Sequence, residues 1–578
     1  MIGLSAKDGK SVSNELLHCL SGGNNRVTVN SRFRTSSTWK SLPFTVLCVT
    51  FIYTCLPKVI AFLDFYGQHI IADRRLFGIQ PRLWTDCGPA IQDYECANIS
   101  VPLDHHNASD PRRVSIALTR LPATNTTFRK GSIFVNPGGP GKRQRSCIYE
   151  QRKLKGAYQY DIIGFDPRGI NMSRPYHSCF DSLLDEQVFG ASNFAQLNVP
   201  VNMTVEAVQY LERQVTMASA TVAALSTKCA DKTGDLMAYL GTEAVVHDID
   251  YLSKVIEGKN ARINFWGFSY GTIIGQYMID MLPPERIGKI IIDAVANPIQ
   301  WSDYDSVSAD GVLDDYDNLL SAFTQSCVAA GNHCALSSYN ASEILAKIDE
   351  TLDSLYWNPA TVTDLRIPAV VTAGDLRSLI FLSMYKISLW PMLAEQLRDL
   401  FEGNFTSLVS MYIDPEGASK PDRSTWSAKT VMCIDKKPLD KPHAAAEFTE
   451  DILESMVKHT RRAVFLSSFC DVWQGIYPRR NQYESTFAHE DDMLQTPILI
   501  LSNTFDPVTP LVNARNASER LGNNTRLVQQ VDGYGHRTIT HTSFCTIKIV
   551  RAYMTEGVVP SADHTFCQVD EQPFFPFG

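Results

Sequence analysis

Residues 263–271 read INFWGFSYG, in which a short β-prone run, Ile263 to Trp266, enters Gly267-Phe268-Ser269-Tyr270-Gly271 and passes into the helix-compatible TIIGQYM. A Gly-x-Ser-x-Gly pattern between a strand and a helix is the setting of a nucleophile elbow, a sharp turn that exposes a serine hydroxyl at the end of a sheet strand. The glycines have a physical cause: side chains two positions either side of Ser269 would collide with the neighbouring strand and helix. The motif therefore demands strand and helix in tight succession, which favours an α/β chain.

The surrounding sequence agrees. From Cys87 onward, apolar β-prone runs alternate with helical stretches, and strands are predicted at 113–121, 131–137, 160–167, 262–267, 288–295, 497–503 and 525–533. Four are near-continuous apolar runs, as strands buried on both faces should be. Residues 242–259 place Val245, Ile249, Leu252 and Ile256 at helical spacing, and Gly258 can end that helix. Between Pro298 and about Ser485 the alternation gives way to helical sequence, then strands resume at Pro497. The expected division is a basic tail (1–41), an apolar segment (42–63), a first core part (81–297), a helical lid (298–485) and a C-terminal core part (486–578). The fold class is α/β, a mostly parallel sheet with flanking helices and a large helical lid insertion. At 578 residues, one large domain with an insertion, or two domains, is expected.

Charge excludes one class of partner. A formal net charge of −9 and a pI near 5.8, with no basic run interleaved with aromatics in the folded part, speak against nucleic acid. The N-terminus differs: residues 1–41 carry six basic against two acidic side chains, and Leu42–Leu56 is uncharged and apolar. That segment reads as a signal anchor, continued to Leu63, or as a signal peptide. Either places the rest of the chain in the secretory pathway, secreted or membrane-anchored. Nine Asn-x-Ser/Thr sequons follow it, at Asn98, Asn107, Asn125, Asn171, Asn202, Asn340, Asn404, Asn516 and Asn523. Beyond residue 80 there are 11 cysteines, and ten fall into sequential neighbours: Cys87 with Cys96, Cys179 with Cys229, Cys327 with Cys334, Cys433 with Cys470, Cys545 with Cys567. No Cys or His spacing suggests zinc, so disulfides are expected and neither metal nor cofactor is. Connectivity stays open at this level, and Cys147 is left over.

A serine becomes a competent nucleophile when a histidine accepts its proton and a carboxylate fixes that histidine's tautomer. In the α/β-hydrolase arrangement the order is Ser, acid, His, the last two on loops after late strands. PILILSNTFDPVTP puts Asp506 just past one such strand and TRLVQQVDGYGHRT puts His536 past the next. Asp532 is a rival acid better read as a turn residue, and His541 and His564 are rival bases with no strand before them. An oxyanion hole requires two aimed N–H donors. Tyr270, after the nucleophile, should supply one, and VNPGGPG (135–141) the other, from Gly139 or next to it Gly138. Asp166 and Arg168, one strand later, are expected to form a supporting ion pair.

With these residues in place, the blocks VPLDHHN, FVNPGGPG, IIGFDPRGINMSRP, FWGFSYGT, LILSNTFDPVTP, DGYGH and CTIKIVRAYMTEGVVP resemble the tripeptidyl-aminopeptidase and prolyl-aminopeptidase branch of the α/β-hydrolase serine peptidases, over roughly residues 85–570. MCIDK and CDVW also resemble that family's lid-to-core blocks. The resemblance implies a serine exopeptidase acting on peptides with free N-termini beneath a lid, with a triad of Ser269, Asp506 and His536. An acidic lid residue should hold the substrate's α-amine, since a buried ammonium requires a partner. One departure stands out: after Gly141 only 18 basic-rich residues lead to Tyr160, shorter than the family's connection. A short connection there would weaken the oxyanion hole. It keeps open a catalytically weakened binding protein, and an esterase on the same triad is the other alternative.

Overall fold

The computed structural model describes residues 83–575 except 89–92, 142–158, 194–196, 304–310, 414–424, 438–442, 464–468 and 474–493. The apolar segment 42–63, the connection after Gly141 and Cys147 lie outside the described residues. The chain divides into two compact units, Met1–Thr85 and Asp86–Gly578, and the second holds the sheet, the helical insert and the site.

Nine strands of that unit share one sheet: β1 (Glu95–Pro102), β2 (Arg113–Leu121), β3 (Ser132–Asn136), β4 (Asp161–Asp166), β5 (Ile263–Phe268), β6 (Ile287–Asp293), β7 (Ile498–Phe505), β8 (Thr525–Tyr534) and β9 (His564–Gln568). Their spatial order is β1-β2-β4-β3-β5-β6-β7-β8-β9. The first two pairings are antiparallel and all from β4 onward parallel. Every residue of β3 and β4 is buried, which explains their unbroken apolar sequences. The seven predicted strands all form, within two residues at either end. β1 and β9 went unpredicted because each mixes polar with apolar residues, β1 as an alternating, one-sided strand and β9 as a short one.

The order reverses beside β3: the chain goes to β4 on one side and later returns to β5 on the other. At such a switch point the two loops leaving the carboxyl ends diverge and open a crevice, where ligands bind in open α/β sheets. The loop after β3 is the Gly-Pro segment, and the turn after β5 is the serine elbow.

Helix α1 (Val205–Thr233) and α2 (Thr242–Glu257) precede β5, and α3 (Tyr270–Met281) follows it. α2 buries Val245, Ile249 and Leu252 and ends at Gly258, whose φ of 100° a side chain would resist. The region between β6 and β7 is helical as expected, with α4 (Tyr316–Ala330), α5 (Ala341–Trp357), α6 (Ala373–Ser383), α7 (Trp390–Phe401), α8 (Thr425–Asp435) and α9 (Ala445–Lys458), plus a small hairpin of Ala360–Val362 with Ala369–Val371. A core forms among its helices: Leu319 and Phe323 of α4, Ile344 and Ile348 of α5, Leu376 and Ile380 of α6, and Trp390 and Leu397 of α7 bury together. The four- and seven-residue spacings are those of one helix face, and each such side chain contributes roughly 1.5–3 kcal/mol on burial. Tyr534 and Phe505 of the sheet's β8 and β7 pack against this cluster, so insert and sheet meet beside the loops bearing His536 and Asp506.

Candidate active site

Ser269 adopts φ 56° and ψ −124° between β5 and α3, a positive φ that a non-glycine residue holds only when its surroundings compel it. Its N–H donates to the Asp293 carbonyl at 3.1 Å, and its carbonyl accepts from Thr272 N and Oγ1 at 2.8 and 2.6 Å. The glycine argument holds in atomic detail. A Cβ on Gly267 would meet the Gly271 carbonyl oxygen at 2.1 Å, and one on Gly271 would meet the Asn136 carbonyl oxygen on neighbouring β3 at 2.7 Å.

Gly138 lies against Ser269: a Cβ there would fall 2.7 Å from Ser269 Cβ and 3.3 Å from its Oγ. The loop expected to stabilise an oxyanion is therefore beside the serine. Gly138 itself is a poor donor, because its N–H already donates to Asn136 Oδ1 at 2.9 Å. Of the two glycines considered, Gly139, whose backbone is exposed, remains. Tyr270 N–H opens α3 at its positive end. The Tyr270 phenol is buried and bonded to Thr242 Oγ1 at 2.8 Å, and burial, reinforced by the Asp435 charge, holds its pKa well above the ordinary value.

Asp506 and His536 meet as predicted. His536 Nδ1 lies 2.9 and 3.0 Å from the two Asp506 oxygens, and both residues are buried. Backbone N–H groups of Val508 and Thr509 donate to Asp506 Oδ1 at 2.9 Å, and that of Arg537 to Oδ2 at 3.3 Å. These donors fix the carboxyl group in one orientation. With Nδ1 facing it, Nε2 is the nitrogen left to act as base. No hydrogen bond joins Ser269 Oγ to His536 among the described residues. Unliganded sites commonly hold such pairs apart until substrate closes them.

Three contributors escaped the sequence. Asp293, at the end of β6, takes Thr538 N–H and Oγ1–H on its carboxylate at 2.9 and 2.6 Å while its carbonyl takes Ser269 N–H. One residue thus ties the serine turn to the histidine loop. Burial pushes its carboxyl up to about 7, against the pull of Thr538. The available signal was an acid closing a buried apolar run, IIID. Thr509 Oγ1 lies 3.2 Å from His536 Nδ1. Tyr385, from the insert, accepts His536 N–H on its carbonyl at 2.9 Å and packs its ring edge-on to the imidazole at 5.2 Å. Nothing in linear sequence pairs Tyr385 with His536.

The rivals have other roles. Asp532, expected in a turn, lies instead within β8, exposed at φ 54° where the register with β7 shifts, and His541 accepts Tyr534 N–H and faces the Glu571 carbonyl. His564 sits on β9. The expected Asp166–Arg168 pair is replaced. Arg168 pairs with Asp248 through two contacts of 2.6 and 2.8 Å and donates to the Pro102, Leu103 and Tyr239 carbonyls. Asp166 instead caps the following turn through Asn171 and Met172. Asn171 is accordingly the poorest sequon: half-buried, with its amide nitrogen donating to Asp166. The other eight asparagines are exposed. All five cysteine pairs close as disulfides in the sequential pairing.

Known proteins of similar sequence cover most of this chain. A family model described as TAP-like protein matches residues 457–567, the stretch carrying Asp506 and His536. Serine protease Hip1 of Mycobacterium tuberculosis is 24% identical over 515 residues, covering 83% of this chain and 90% of that protein. The chain is a serine hydrolase of the α/β-hydrolase fold with a TAP-like C-terminal region. The tripeptidyl aminopeptidase of Streptomyces lividans is 23% identical over 508 residues, covering 83% of this chain and 86% of that protein. Carboxylesterase B of Mycobacterium tuberculosis is 22% identical over 513 residues, covering 82% and 88%. In this hydrolase the alignments span core and insert alike, so the similarity is not confined to the elbow.

Proposed function

We propose that the hydrolase is an exopeptidase that releases residues or tripeptides from peptide N-termini through an acyl-enzyme on Ser269. His536 Nε2 takes the Ser269 proton as Oγ attacks the carbonyl, then returns it to the leaving amine. Asp506 holds the imidazole's tautomer and stabilises the imidazolium. The N–H groups of Tyr270 and Gly139 receive the developing oxyanion, and water repeats the sequence to release the acyl group. The observation that carries this reading is the buried Asp506–His536 contact on loops flanking a strained serine that Gly138 abuts.

Restriction to chain ends belongs to the insert, whose Tyr385 touches the histidine loop. Asp315, just before α4, is our candidate for the substrate's ammonium. It accepts Leu511 N–H at 3.4 Å, and burial, with the charges of Asp314 and Asp506, raises its carboxyl to about 6. An acid held among other acids gains most when a cation arrives. The relatives named serine protease and tripeptidyl aminopeptidase support the reading, and the one named carboxylesterase supports an esterase as the second. Residence in the secretory pathway, with glycans on the exposed sequons, is part of the proposal and is supported by the five disulfides. The apolar segment that could anchor the chain lies outside the described residues; among the described ones, no helix is long and apolar enough to cross a membrane.

A panel of aminoacyl and tripeptidyl amides, free or N-acetylated, alongside short-chain esters tests it. Turnover of free-amine amides, abolished by acetylation and by Ser269→Ala, is expected. Ester cleavage without amide turnover selects the esterase. A folded protein whose Ser269 fails to react with a fluorophosphonate selects the weakened binding protein.

A further inference from the structure

Away from the triad, three side chains from two distant parts of the chain converge. His106 lies in the loop after β1, and Glu243 and His247 lie one turn apart on α2, so they share a helix face. His106 Nε2 is 2.5 Å from Glu243 Oε1, and His247 Nε2 is 3.1 Å from the same oxygen. One ligand atom from each of the three lies within 4.8 Å of the others. The sequence separation of 137 between His106 and Glu243 explains why no linear spacing signalled this set.

We propose that His106, Glu243 and His247 form a binding site for a divalent transition metal, Zn²⁺ by the chemistry of its donors. Two imidazoles and one carboxylate make a three-ligand face that leaves a fourth tetrahedral position for water. The groups face solvent in graded fashion, with side-chain exposures of 51% for His106, 26% for His247 and 12% for Glu243. An ion can reach the site without opening the core. The neighbouring groups have other work: His105 Nε2 bonds Asp248 Oδ1 at 2.8 Å, and Asp248 also pairs with Arg168. These contacts tie the loop to the helix, and His106 and Glu243 border a recess shared with Asp104, Tyr239 and Asp435. The other cluster with metal-like spacing, His177 with Cys179 and Cys229, is excluded because its sulfurs form a disulfide.

A bound ion would clamp the sheet-edge loop to the first turn of α2, the helix that leads into the elbow strand. A ligand that binds only the folded state raises its stability by mass action.

The test uses the full chain, stripped with a chelator and dialysed against Zn²⁺, with wild type compared to His106→Asn, His247→Ala and the double variant. His106→Asn changes an exposed loop position and keeps the fold testable if a helix variant fails. Wild type is expected to retain one more Zn²⁺ per chain than the double variant, by elemental analysis, and to melt higher with Zn²⁺ than without. Loss of a mere outer partner weakens metal binding about 10- to 100-fold, so losing either imidazole should weaken it by more than about 100-fold. The same Co²⁺-loaded site should show a tetrahedral visible spectrum that disappears in His106→Asn. Equal Zn²⁺ content in wild type and double variant, or an unchanged melting temperature on adding Zn²⁺, would overturn the site and leave a hydrogen-bonded charge cluster.

Discussion

Asp293 joins two loops that must stay in register, since its carbonyl holds the Ser269 turn and its carboxyl holds Thr538 beside His536. Burial raises its carboxyl to about 7 from 3.8, so between those values the folded protein keeps a proton that the unfolded chain releases. The contribution is most favourable below pH 4 and is lost as pH rises through about 7, on the order of 4 kcal/mol in all. Denaturant unfolding of wild type and Asp293→Asn between pH 4 and 8 checks this. The stability difference between them should move toward the variant up to about pH 7 and then level off; a constant difference would refute the shift. Gly138→Ala probes the opposite loop. With φ 98° and a Cβ 2.7 Å from Ser269 Cβ, alanine must displace the oxyanion loop or the nucleophile, and kcat/KM should fall about 10²- to 10³-fold. Asp315→Asn should raise KM for free-amine peptides and leave N-acetylated esters unchanged; an equal effect on both would remove Asp315 as the amine anchor. Ser269, Asp506 and His536 were legible because each follows a strand whose apolar run is visible in sequence. Asp293 was not, because an acid's partner across the sheet has no local mark.

At the scale of elements, the insert contributes more than cover. α6 ends at Ser383, and Tyr385 two residues on carries the carbonyl that fixes His536 N–H and the ring that abuts the imidazole. Trp390 of α7 stacks on Tyr534 of β8 with ring centroids 5.5 Å apart. These contacts bind the α6–α7 corner to the histidine loop, so the position of the base depends on packing in the insert. Tyr385→Ala retains the backbone bond but empties the space beside the ring. A displacement of the imidazole near 1 Å can cost about 10²-fold, and a drop in kcat of that order with a smaller change in KM is expected from steady-state kinetics. Tyr385→Phe keeps the ring edge and should stay within a few-fold of wild type. The helices of the insert were legible from their period, which reflects one buried face each. Where those faces dock was not, because period reports that a face is buried and says nothing of what buries it. The same limit hid β1 and β9, whose mixed sequences carry no buried run.

Across the whole molecule, the disulfides distribute their constraint unevenly. Cys327–Cys334 and Cys87–Cys96 close loops of 7 and 9 residues, whereas Cys433–Cys470 and Cys179–Cys229 close 37 and 50. Chain entropy removed from the unfolded state grows with loop length, so the last should contribute most, about 4 kcal/mol in the loop-closure model. Cys179 follows β4 and Cys229 lies near the end of α1, both buried, so the bond pins the long helix to the loop that leaves the sheet. Cys179→Ser with Cys229→Ser should therefore lower unfolding free energy by about that amount, while the paired change at Cys327 and Cys334 lowers it less. Urea denaturation of the two double variants at one pH decides between them. Equal losses would mean that native packing around the sulfurs, and not loop closure, sets the effect. If the ordering holds, a chain made in a reducing compartment should lose more stability through the missing Cys179–Cys229 bond than through either short loop, and its hydrolase activity should fall with the fraction folded.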